Sequence, residues 1–215
     1  MSFQFQGFIL SCKHFNEQAG LVCLLTPQGV KYVYDKDFYA KYQKYFPYMK
    51  ETLFAIEVFP GSDEHRFYLR ELDPIVRFDT PNQYTFYLQW LISLALLTQK
   101  TSDHPAIFFK CYYRFMQQLQ ENPKKEMINF SLVYIELHVL VSMGSGDFMT
   151  HFEAIVRLKG ISMEFHDFFL NKLIDDNDFI IIQEYIGQII YDFYSWNKGF
   201  DVFKECLQVT QQITQ

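Results

Sequence analysis

Cysteine, glycine, proline and tryptophan are all scarce in this 215-residue chain, which has 4, 9, 7 and 2 of them. The cysteines, Cys12, Cys23, Cys111 and Cys206, are far apart and form no CxxC pair. That spacing suits neither a zinc site nor a small disulfide framework. So few glycines and prolines exclude collagenous and linker-like chains. The opening Met1-Ser2-Phe3-Gln4 has no basic leader, and the longest apolar run, Tyr84 to Leu97, contains Gln89 and is too short to span a bilayer. A reduced, cytoplasmic protein with no membrane segment is expected. Catalytic signatures are missing too. There is no GxGxxG, GxxxxGK[ST] or GxSxG, and none of the six histidines stands in an HExxH setting. Asp175-Asp176-Asn177-Asp178 lacks the glycine and distal glutamate of a calcium loop; Asn177-Asp178 reads as a helix cap. No enzyme, cofactor or metal is expected.

Aromatic residues are abundant. Phe contributes 24 and Tyr 15, and aromatics make up 19% of a chain that is 49% apolar, enough to bury a substantial core. Net charge is −6, which excludes a uniformly basic nucleic-acid coat. The excess is local: residues 1–78 and 79–159 are each balanced, and residues 160–215 carry all of it. Residues 31–50 hold five lysines against Asp35 and Asp37. An anionic partner should meet the chain there.

The hydrophobic period divides the chain. Gly7–Cys12, Leu21–Leu25, Val30–Tyr34, Leu53–Phe59 and Arg66–Leu72 read as five short strands. Thr26-Pro27-Gln28-Gly29 and Pro60-Gly61-Ser62-Asp63 are turns between them, and Phe15-Asn16-Glu17 joins the first two strands. Five strands in so short a stretch suit a small closed barrel, for which the OB-fold is the commonest choice. From Thr80-Pro81, read as N-cap and first helical residue, apolar residues recur at helical spacing. Helices are expected from there, from Asp103-Pro105 to Leu119, from Asn122-Pro123 to the stop at Gly144-Ser145-Gly146, and over Phe148–Leu158. Others are expected over Ser162–Ile174, from Asn177 through Ile189 to a stop near Asn197–Gly199, and over Asp201–Val209. The expected class is α+β: an N-terminal five-stranded OB-fold barrel over 1–78, then an all-helical domain over 79–215.

Certain of these segments resemble the recombination mediator family RecO. They are Gly7–Leu10, Phe15-Asn16-Glu17, Leu21–Thr26 and Gly29 in order, the stretch FPYMKETLFAIEVFPGSDEHRFYLREL, and the helix end Ile135–Phe152, in which Glu136, Leu137, Leu140 and Gly144 keep the family's places. The resemblance implies an OB-fold followed by helices and no small-molecule catalysis. It also implies binding of DNA, of a RecR-type partner and of the tail of single-strand binding protein, in DNA repair and recombination by strand annealing and recombinase loading. Many members carry a zinc finger after that helix. Here the place reads His151-Phe152-Glu153-Ala154, so zinc is not expected. Val133 and Tyr134 stand where some members have Arg, and Asn197–Asp201 is less basic than the family's C-terminal stretch.

Single strands need cations for phosphates and flat rings for unstacked bases. Lys31, Lys36, Lys41, Lys44 and Lys50, interleaved with Tyr39, Tyr42 and Tyr45, offer both; the bland reading has the rings packed inward and the lysines merely solvated. Lys110, Arg114, Lys124 and Lys125, with Phe108, Phe109 and Tyr113, suggest a cation-rimmed slot for an acidic, Phe-ended tail, against an ordinary amphipathic helix. The alternative function is a protein–protein interaction module whose OB-fold has lost DNA binding, which the acidic last quarter favours.

Overall fold

The computed structural model describes residues 2–14, 17–61, 66–81, 84–98, 105–121, 123–159 and 173–194. Outside them lie the expected Phe15-Asn16 link, Ser62-Asp63 of the second turn, Asn122, the Asn197–Gly199 stop and the Asp201–Val209 helix. So does the Ser162–Ile174 helix, except Leu173 and Ile174, which are not helical.

Five strands close into a barrel in the order β1-β2-β3-β5-β4. They are β1 (Phe3–His14), β2 (Gly20–Thr26), β3 (Gly29–Asp35), β4 (Thr52–Pro60) and β5 (Phe67–Arg77). The β2–β3 hairpin turns where Pro27 presets one backbone angle and Gly29 takes φ 103°, a conformation costly for a side-chain-bearing residue. Thr26 Oγ1 donates to the Gly29 carbonyl at 2.8 Å and accepts from the Gln28 N–H. All neighbours pair antiparallel except β3 and β5, which are parallel through Val33↔Phe67 and Tyr34↔Tyr68. Side chains alternate across a strand, so Val22, Leu24, Val33, Phe54, Ile56, Val58 and Leu69 fill the interior. Strands β1 and β5 are longer than their apolar runs predict, because their exposed ends still pair: the start of β1 and the end of β5 with β4, and Lys13 and His14 of β1 with β2.

Between β3 and β4 the chain forms a short helix, α1 (Phe38–Tyr42), and a 3₁₀ segment (Gln43–Glu51). Phe38, Tyr42 and Met49 belong to the barrel core, so this connection plugs the barrel.

Among the described residues every regular element after Arg77 is helical: α2 (Thr85–Thr98), α3 (Pro105–Gln120), α4 (Lys125–Ser142), α5 (Phe148–Lys159) and α6 (Asp176–Tyr194). Helix α2 starts at Thr85, not at Pro81. Helix α6 is capped by Asp175, whose carboxylate accepts from the Asp178 N–H at 2.9 Å, two residues before the Asn177 expected to cap it.

Two compact units result. One holds residues 1–81 with 104–120, the other 82–103 with 121–215. A single boundary near Phe78 therefore misses the return of α3 to the barrel unit. There α3 lies against β2 and β3. The rings of Phe109, Tyr112 and Tyr113 close over Phe8, at centroid distances of 5.9, 4.9 and 6.4 Å. The Tyr112 hydroxyl donates to the Lys50 carbonyl. In the other unit α4 touches α2, α5 and α6. Lys125 pairs with Asp176 at 2.7 Å, and Asn129 Nδ2 donates to the Ile174 carbonyl and to Asp176.

Candidate nucleic-acid interface

The residues singled out between Lys31 and Lys50 divide sharply once folded. Tyr42 is only 8% exposed and sits in the core. Burial, helped by the Asp35, Glu71 and Asp73 carboxylates, pushes its phenol up to about 12. Its ring is inaccessible to a base, which corrects its place among the stacking candidates; the i, i+4 spacing of Phe38 and Tyr42 was the available signal that both face inward. Tyr39 is taken up by His14, stacked on it at 3.6 Å and 9°, and its hydroxyl donates to Cys12 Sγ. Tyr45 is half-buried against Phe54.

The lysines divide as well. Lys41 Nζ lies 3.0 Å from both oxygens of Asp35, whose side chain is 2% exposed, and 3.9 Å from Asp37. A cation neutralising a buried carboxylate is a poor phosphate ligand, so Lys41 is corrected to a structural role. Removing it strands the Asp35 charge. Lys41→Ala should lower stability by about 1–2 kcal/mol, discounted because the lysine itself is half-exposed. Chemical denaturation checks this, and an unchanged midpoint would contradict it. Lys36, Lys44 and Lys50 are exposed. Lys44 lies over the Tyr45 ring at 4.8 Å and Lys31 over the Phe67 ring at 5.8 Å.

On α3, Phe109 and Tyr113 turn toward Phe8, and Lys110 and Arg114 are exposed. The two rings thus pack on the barrel instead of lining an open slot. Lys124 and Lys125 belong to the other unit.

Sequence reading missed a set of rings on the outside of the barrel. Alternation opposite the core residues Val33, Val58 and Leu69 turns Tyr34, Phe59 and Tyr68 outward. Phe59 of β4 stacks on Tyr68 of β5 at 5.5 Å and 19°. Tyr68 meets Tyr34 of β3 edge-on at 5.9 Å. Gly61 permits this packing, because a Cβ there would come within 2.8 Å of the Tyr68 ring. Its N–H donates to the Arg66 carbonyl and closes the β4–β5 hairpin.

One constellation has the outline of catalytic machinery. Ser145 Oγ is 3.0 Å from His151 Nε2, and His151 Nδ1 is 3.1 Å from the Tyr185 hydroxyl. The serine proton, however, goes to the Leu140 carbonyl at 2.6 Å. His151 Nε2 must then donate to Ser145 and Nδ1 accept from Tyr185. Burial holds the imidazole below its usual pKa. The arrangement ties the end of α4 to α5 and α6 and leaves the serine unactivated. Among the described residues no three His, Cys, Asp or Glu side chains are gathered to hold a metal ion, and no helix is long and apolar enough to cross a membrane. No protein-family model matches the chain, and no curated protein matches its sequence.

Proposed function

We propose that the barrel is of the OB type and that the chain is a non-enzymatic, RecO-like recombination mediator that binds single-stranded DNA. The observation that carries the reading is the closure β1-β2-β3-β5-β4, with a parallel β3–β5 seam and a helix between β3 and β4. Barrels of this kind bind oligonucleotides on their outer strands and loops. Helices following the barrel agree with the same family. A RecR-type partner and the acidic tail of single-strand binding protein are the implied protein partners, with exposed Lys110 and Arg114 as cations for the tail. Localisation in the cytoplasm belongs to this reading.

A second reading, an interaction module without DNA binding, is favoured by the loss of Lys41 to Asp35. Fluorescence anisotropy with labelled oligodeoxythymidine separates the two. The mediator binds at low salt, with affinity falling log-linearly by about 0.7 per phosphate neutralised. No binding at low salt would leave the interaction module.

A further inference from the structure

Resting on that single-strand reading, we propose that the end of the barrel opposite the plug seats one nucleotide of single-stranded DNA, its phosphate on Lys31 and its base against the ring of Phe3.

Strand β3 turns every second side chain inward. Val33 joins the barrel core, and Lys31 and Asp35, two residues to either side, share its face. Lys31 also stands opposite Leu24, another core residue. The strand therefore sends one charge of each sign inward, one toward each end of the barrel. The acid is answered: Asp35, at the plug end, is held by Lys41 at 3.0 Å. The lysine is not. Its ammonium lies over the Phe67 ring at 5.8 Å, and among the described residues no carboxylate pairs with it. A ring face holds a cation weakly and leaves its charge to be neutralised by an anion.

Phe3 of β1 completes the seat. It stands opposite the core residue Val58, so it too faces inward, and it meets Phe67 edge-on at 6.4 Å. Its ring is nevertheless 48% exposed. Helix α3 packs on Phe8, which alternation turns to the outside of the barrel; Phe3 and Lys31 point the other way.

Charge and shape select the occupant. An exposed phenyl beside an unneutralised ammonium offers a flat face for an unstacked base and a cation for the adjoining phosphate. Beneath the rings, Val33, Val58 and Leu69 fill the interior. The seat thus presents ring faces and no hole, which suits a flat base and not the anchoring side chain of an acidic peptide.

The test uses the full chain and a labelled oligodeoxythymidine. Phe3→Ala should weaken binding by at least about fivefold with the salt slope unchanged, because stacking releases few counterions. Lys31→Ala should flatten the slope by about 0.7, one phosphate contact's worth, and Lys31→Arg should restore it. In the unaltered protein, photocrosslinking to an oligonucleotide carrying 5-iodouracil should mark the peptide containing Phe3. If the parent binds but both alanine variants keep its affinity and slope, or crosslinks fall elsewhere, this end is not the site and the mediator reading survives. If the variants leave DNA binding intact but weaken a labelled acidic peptide ending in phenylalanine, the seat takes a protein tail and the proposal is overturned. If the parent fails to bind DNA at low salt, the mediator reading and the seat fall together.

Discussion

Replacing Glu136 by Gln is expected to stabilise the chain above pH 7 by about 3 kcal/mol and to leave it nearly unchanged near pH 5. Glu136 lies in the middle of α4 with no exposed surface. Trp90 Nε1 of α2 and Gln183 Nε2 of α6 donate to its two oxygens, both at 2.5 Å. Burial pushes the carboxyl from 4.5 up to about 7, against the opposing pull of those two donors. The folded state therefore holds a proton that the unfolded chain has released, and stability falls as pH rises from about 4.5 to about 7. Glutamine keeps the shape and offers Trp90 an oxygen, while Gln183 turns its amide to meet the new N–H₂. Parent and variant should give diverging denaturation midpoints across that window. Parallel curves would show that the carboxyl titrates normally.

Phe8→Ala should cost about 3–5 kcal/mol, the usual range for deleting a fully buried phenyl ring. Phe8 is the point at which Phe78 and the three α3 rings meet the barrel, so the cavity would open beneath α3. Hydrogen exchange at the amides of residues 105–120 should accelerate more than at the centre of β4, whose Phe54, Ile56 and Val58 face the separate interior core. A loss below about 1 kcal/mol, or unchanged protection of α3, would mean that this helix is held by something other than the ring cluster.

Much of the barrel was legible because its signals are local. VKYVY alternates, and Pro27 with Gly29 marks a hairpin whose register follows from the turn. The change of period near Thr80 separates strands from helices for the same reason. Three features were not legible. The lysines between Phe38 and Met49 made the plug look like a solvated, DNA-facing loop; the spacing of Phe38 and Tyr42 marks a shared apolar face but does not say that this face fills a barrel. The amphipathic pattern of α3 reveals an apolar face but not which core it joins. The contact of the Tyr34 and Tyr68 rings exists only through the β3–β5 pairing, which links residues more than thirty positions apart in the sequence. Hence the lysines of residues 31–50 drew attention, while Tyr68 and Phe59 did not.

The return of α3 to the barrel also carries a consequence for synthesis. The last strand ends at Arg77, but the helix that covers Phe8 is complete only at Gln120. At roughly 5–20 residues per second, a ribosome exposes the nascent barrel with its aromatic flank bare for several seconds before the cover emerges. In that interval a finished sheet with an unfinished exterior is a substrate for trigger-type chaperones or for its own neighbours on a polysome. Translation speed between residues 78 and 120 thereby becomes a determinant of yield.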